Sequence, residues 1–272
     1  MTTNLLFVRQ QSEAALLAGA ASLVAPKVEI EVVHLDPDPK RPGAGSQIIV
    51  DATVRALAER GVPARGVALP AAEVGVAERI EALIKEVRPE LVVLGARRLG
   101  RVGALLQGSV TQQVLSGCPT MALVVPEDAA VFDPPLRHVL IAVGGDDDLS
   151  RLEVAASRLD PGAEYLLIHV ARRIAMHTVG PEGLYFEVGE TSDPELDVVA
   201  HALERSGRQV RRSLLPAGPA AGAIAGAAHT LGAELVVVGS NRPGPFRTLT
   251  ATSTARQVLV HVALPVLFAP VP

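Results

Sequence analysis

Apolar residues in this chain come in short bursts divided by polar, glycine- and proline-bearing stretches, and the bursts alternate between two periods. Residues 4–8 form a short, mostly apolar run, as expected of a strand buried on both faces of a parallel sheet. Ser12 is placed to cap a helix over 12–24, which Pro26 ends. A strand is predicted over 28–35, followed by a loop over 36–45 that holds Pro37, Pro39, Pro42, Gly43 and Gly45. Residues 46–60 read as helix with Gly61 as its C-terminal cap, and 65–69 as strand. Val76, Ile80, Leu83, Ile84 and Val87 then recur on one face at helical spacing. Strand 91–94, helix 109–115 and strand 121–125 close this stretch.

The pattern then repeats. Glu90-Leu91-Val92-Val93-Leu94-Gly95 recurs as Glu234-Leu235-Val236-Val237-Val238-Gly239, and Gln113-Val114-Leu115 as Gln257-Val258-Leu259. The strand carrying His34 matches the one carrying His169. Because the matches keep one order and their period is about a domain long, the chain reads as two tandem copies of one α/β unit. The expected organisation is a first domain over residues 1–126, a second over 136–272, and a linker over 127–135 that is rich in proline and acid. In the second copy, strands are predicted over 138–143 and 164–170, with a helix from Ser150 between them. An insertion at 171–192 replaces the proline loop of the first copy, and Asp193 and Pro194 open the next helix. Strands alternating with helices predict a doubly wound, Rossmann-like fold, each copy building a mostly parallel five-stranded sheet.

Composition narrows the function classes. Hydrophobic residues make up 49% of the chain, yet no run approaches the roughly 18 apolar residues a membrane helix needs. The first residues lack the pattern of a signal peptide. The single cysteine, Cys118, excludes an intrachain disulfide framework and suits a reducing cytoplasm. A net charge of −4, no basic block and only 3% aromatics argue against nucleic acid or an anionic membrane as partner. No histidine falls in a zinc-binding pattern and no Gly-x-Ser-x-Gly elbow occurs, so neither metal ligands nor catalytic residues are nominated.

In an open parallel sheet, ligands bind beyond the carboxyl ends of the strands, which draws interest to the loop 95–109. It runs from Gly95 through Arg97, Arg98, Gly100, Arg101 and Gly103 to Gly108 and Ser109. Glycines let backbone amides face a phosphate, and Ser109 opens a helix whose first amides favour an anion. This loop resembles that of the universal stress proteins. Their ATP-binding members carry Gly, two residues, Gly, nine residues, then Gly followed by Ser or Thr. Here the positions are Gly95, Arg98 and Gly108-Ser109; in the second copy they are Gly239, Arg242 and Thr252-Ser253. The family's aspartate at the end of its first strand, which contacts the nucleoside, is replaced by Arg9 and by Gly144.

The resemblance implies a non-catalytic stress-response factor with at most slow ATP hydrolysis. It implies a nucleotide site formed by Gly95, Arg98, Gly108 and Ser109, with Gly239, Arg242 and Ser253 as the second-copy counterparts, and magnesium bridging the triphosphate of ATP. It also implies that the last strands of the two copies pair in an internal pseudo-dimer, which leaves open a further homodimer. Two other functions stand beside this one: a ligand-free protein-interaction module with degraded nucleotide sites, and a hydrolase of the same superfamily using His34 or the Asp146 cluster. Plainer roles compete at single residues. Ser109-x-x-Gln112 and Ser150-x-x-Glu153 are capping boxes, and acids such as Asp146 are favoured by a helix start alone. His34 and His169 suit packed core histidines, and Cys118 suits a structural role.

Overall fold

The computed structural model of the chain describes residues 3–25, 27–36, 43–71, 75–97, 110–130, 133–144, 149–170, 176–178, 184–186, 194–215, 218–239 and 254–269. The first repeat runs β1 (Asn4–Phe7), α1 (Ala14–Val24), β2 (Ile30–Asp36), α2 (Ala44–Ala58), β3 (Ala64–Pro70), α3 (Val76–Val87), β4 (Leu91–Ala96), α4 (Val110–Gly117) and β5 (Met121–Pro126). The second runs β6 (His138–Ala142), α5 (Leu149–Ser157), β7 (Glu164–Val170), β8 (Met176–Thr178), β9 (Leu184–Phe186), α6 (Pro194–Arg205), β10 (Gln209–Leu215), α7 (Ala220–Leu231), β11 (Leu235–Val238), α8 (Thr254–His261) and β12 (Val266–Phe268).

The expected pair of five-stranded sheets is corrected to one continuous sheet of ten strands, ordered β3-β2-β1-β4-β5-β12-β11-β6-β7-β10. Each repeat supplies five strands in parallel, and the two sets meet where β12 runs antiparallel to β5, with Val266 opposite Val124, Leu267 opposite Leu123 and Phe268 opposite Ala122. Every residue of β5 is buried, as is every residue of β12. Left apart, both strands would be exposed apolar edges, and joining them removes that hazard. The internal pseudo-dimer is thus built through the sheet itself. The insertion adds a separate antiparallel hairpin, β8 with β9, that its composition did not announce.

Helices cover both faces. One core layer joins α1, α2, α5 and α6 to the sheet through Leu17, Val50, Leu57, Leu152 and Leu203. The other joins α3, α4, α7 and α8 through Ile80, Val114, Ile224 and Val258. Helix α3 shows the sequence logic plainly. Ala77, Ile80, Leu83 and Ile84 are buried on one face, and Arg88 ends the helix in the left-handed conformation at φ 50°. Helix α1 is apolar nearly all round and buried from Leu17 to Val24, which requires cover on its outer side as well. Ala129 and Leu136 of the connecting segment pack into that same layer.

Two local expectations are revised. Ser12 does not cap α1: Gln11–Glu13 form a 3-10 turn, Glu13 is the residue at the helix entrance, and no side chain caps it. The Glu13 carboxylate turns back to Arg9 instead. Helix α2 begins at Ala44, ahead of Ser46, because Asp36 at the end of β2 holds its first turn. The Asp36 carboxylate accepts from the Gly43 N–H at 2.8 Å and from the Ser46 hydroxyl. Gly61, as expected, follows α2 in the left-handed region at φ 72°.

Candidate functional site at the end of the first strand

Within the first repeat the chain passes from β1 to β2 and β3 on one side, then crosses to β4 and β5 on the other. The switch lies between β1 and β4, and their carboxyl ends bound the place where a doubly wound sheet takes its ligand. Gly95 stands there in β4, with Arg9 beyond the end of β1.

The peptide unit joining Val8 to Arg9 is held at both ends. On the β2 side, His34 donates its Nδ1–H to the Val8 carbonyl at 3.0 Å. On the other side, the Arg9 N–H donates to Glu13 Oε2 at 3.2 Å. A trans peptide points its C=O and N–H in opposite directions, so the two side chains flank the strand end from opposite sides. The Arg9 guanidinium also pairs with the Glu13 carboxylate. Arg9 is the partner of Glu13 among the described residues, and Glu13 is only 4% exposed.

Glu13 reaches across to β4. Its carboxyl carbon and both oxygens lie 3.7 Å from where a Cβ on Gly95 would stand. A carboxylate therefore covers the face of Gly95 on the α1 side. Behind it, the Thr111 hydroxyl donates to the Gly95 carbonyl at 2.9 Å and ties the first turn of α4 to the end of β4. His34 is 6% exposed, and its donation to a carbonyl fixes the Nδ1–H tautomer when the ring is neutral. Its Nε2 has no hydrogen-bond partner among the described residues.

The second repeat keeps half of this arrangement. His169 donates Nδ1–H to the Val143 carbonyl at 3.0 Å, matching His34 and Val8. Gly144 takes the place of Arg9, and Gly239 directly follows β11. Of the residues expected at a nucleotide site, Gly95 and Gly239 are at the ends of their fourth strands as anticipated. Arg98, Gly108, Ser109, Arg242 and Ser253 lie outside the described residues, as do the Asp146 cluster and the Gly100–Gly103 part of the loop. Among the described residues no group of three His, Cys, Asp or Glu side chains is placed to share a metal ion, and no helix is long and apolar enough to cross a membrane.

Glu13 was missed by the sequence reading. Its signal was present as a basic and an acidic residue four apart at the end of a first strand, but there the eye goes to the strand-end residue itself.

The universal stress protein family pattern matches residues 8–126 and again residues 135–270. The chain belongs to the universal stress protein family. Among solved structures, a universal stress protein from Archaeoglobus fulgidus DSM 4304 aligns over 98% of this chain and 96% of its own, with TM-score 0.68 and 17% identity. A functionally unknown protein from Pseudomonas aeruginosa PAO1 aligns over 99% and 93%, with TM-score 0.66 and 16% identity. The cytoplasmic domain of a prokaryotic cation chloride cotransporter aligns over 99% and 95%, with TM-score 0.54 and 13% identity. At such identities these likenesses concern the fold. Among curated proteins no match is found.

Proposed function

We propose that this tandem universal stress protein is a non-catalytic, cytoplasmic stress-response factor whose first repeat is its ligand-responsive half, with ATP as the nucleotide to test. The observation that carries this reading is the β1–β4 switch point. There Gly95 brings the end of β4 next to a helix entrance tied down by Thr111. The loop from Arg98 to Ser109 supplies the arginines and glycines that a phosphate needs. In this reading Gly95, Gly108 and Ser109 offer backbone amides, Arg98 adds charge, and magnesium neutralises the triphosphate.

A second reading has its own observation. The buried Glu13 carboxylate over Gly95 favours a ligand-free interaction module, since an internal anion already stands where a phosphate would approach. Calorimetric titration of ATP and ADP with magnesium into nucleotide-stripped protein separates the two, with Gly108→Asp alongside. Micromolar binding lost in the variant, with phosphate release at background rate, supports the first reading. Wild-type protein that takes neither nucleotide sinks it and leaves the interaction module.

A further inference from the structure

We propose that Glu13 determines ligand specificity in the first repeat: it keeps phosphate away from the end of β1 and accepts hydroxyl or amine donors there, so the cleft prefers a nucleoside to its triphosphate. This rests on the reading of the first repeat as a nucleotide-type site.

At a doubly wound switch point, the amides just past the first strand are the groups an anionic ligand would seek. Here the Arg9 N–H is already bonded to a carboxylate of the chain, and the Arg9 guanidinium is paired with the same carboxylate. The Arg9 backbone N–H and the Nη2 end of its guanidinium are thus both engaged by Glu13. Because Glu13 is 4% exposed, water screens its charge poorly, and a phosphate brought beside Gly95 would face it at close range. Two like charges in such a site repel strongly. An anionic ligand must displace Glu13 from Arg9 or bind elsewhere.

The same geometry attracts a different chemistry. A carboxylate offers about four lone-pair directions. Among the described residues Glu13 uses them only toward the Arg9 N–H and guanidinium. A buried acceptor with spare capacity is stabilised by any donor that arrives. His34 points to the same class of ligand independently. It is buried, its Nδ1–H is committed to Val8, and among the described residues its Nε2 is an unpartnered acceptor in the neutral ring. Two buried acceptors thus lie on opposite sides of one strand end, and each suits a separate hydroxyl or amine donor. An uncharged nucleoside carries both kinds of donor.

The test titrates adenosine and magnesium ATP into nucleotide-stripped wild type, Glu13→Gln and Glu13→Asp, with circular dichroism and thermal unfolding to confirm that each protein is folded. Glu13→Gln removes the charge at nearly constant shape, and Glu13→Asp keeps the charge should the glutamine variant prove unstable. Wild type should bind adenosine at least about tenfold more tightly than ATP, and Glu13→Gln should shift that ratio toward ATP by about tenfold or more, with Glu13→Asp staying on the wild-type side. A wild-type preference for ATP, or a ratio in Glu13→Gln within about twofold of wild type, overturns the role given to Glu13. If ATP binds and Gly108→Asp abolishes it while Glu13→Gln changes nothing, the nucleotide site stands and the specificity claim falls. If neither ligand binds any folded variant, both fall together.

Discussion

Leu123 and Leu267 are the pair on which the union of the two repeats can be tested. They sit directly opposite one another across the antiparallel β5–β12 junction, and both are 0% exposed. Both belong to the core layer that also holds α1 and α5. Truncating a fully buried leucine to alanine loses its transfer free energy and leaves a cavity, which together cost about 2–5 kcal/mol. Each of Leu123→Ala and Leu267→Ala should fall in that range. Opposed residues in an antiparallel pair place their Cβ atoms about 5 Å apart, so the two truncations open one shared cavity. The double variant should then cost less than the two singles added, by about 0.5–3 kcal/mol. Urea unfolding at constant temperature supplies the four free energies of the cycle. Strict additivity, or a cost under about 1 kcal/mol for Leu267→Ala, would refute a continuous sheet and restore two independently packed ones.

Three shorter predictions concern the individual repeats. A Cβ on Gly66 of β3 would stand 2.2 Å from Val50 Cγ1 and 3.0 Å from Val54 Cγ2, so Gly66→Ala should destabilise by about 1–3 kcal/mol through overpacking, read as a lowered Tm. Arg212 holds the matching register position on β10, where its ion pairs to Asp197 and Glu204 are partly exposed, and Arg212→Ala should cost under about 1 kcal/mol. Burial raises the Tyr165 phenol above its ordinary value of 10.0, more than Arg208 beside it lowers it. Its stabilising contribution is fully present below that unfolded value and fades as pH rises toward the folded one. Stability should therefore fall above pH 10 in wild type and fall less in Tyr165→Phe, which also loses the 2.7 Å hydrogen bond to the Asp160 carbonyl. Equal alkaline losses in the two proteins would count against this.

Much of the fold was legible because its signals are local. Helix α3 is written in the spacing of Ile80, Leu83 and Ile84, and β4 and β11 in near-identical apolar runs after Glu90 and Glu234. The tandem organisation came from the same comparison. What the sequence hid was whatever depends on a partner distant along the chain. That β5 and β12 pair was expected from the family resemblance, but neither strand carries in its own residues that the pairing fuses the two sheets into one. Asp36 as the residue that starts α2 is hidden by the intervening proline loop. Ser12 looked like a cap on propensity alone, but the next residue, Glu13, is turned toward Arg9 and Gly95, and that tertiary use settles how the helix begins. His34 is the converse case: its role as a packed histidine with one satisfied nitrogen was anticipated, while the carbonyl that satisfies it, that of Val8, is visible only in three dimensions.

The junction also decides how the two clefts relate. Strands within each repeat run parallel, and the repeats meet through one antiparallel pair. The carboxyl ends of the first repeat's strands therefore lie at one end of the sheet, and those of the second repeat at the other. The helix layers agree with this, since α1 and α2 share a face with α5 and α6, as a two-fold relation perpendicular to the sheet requires. The strand ends at Gly95 and Gly239 thus face in opposite directions, and no small molecule can bridge them. Each cleft is free to change without disturbing the other or the junction. The sequence bears that out at the strand ends. Both repeats keep the histidine that holds the first strand's last carbonyl, His34 and His169, because that contact maintains the sheet. They differ one residue later, where Arg9 brings a guanidinium and Gly144 brings none. At the first strand end that guanidinium pairs with the buried carboxylate of Glu13, four residues on. The strand-end ion pair is thus a feature of the first repeat, and the second contributes the other half of the sheet on which that repeat is built.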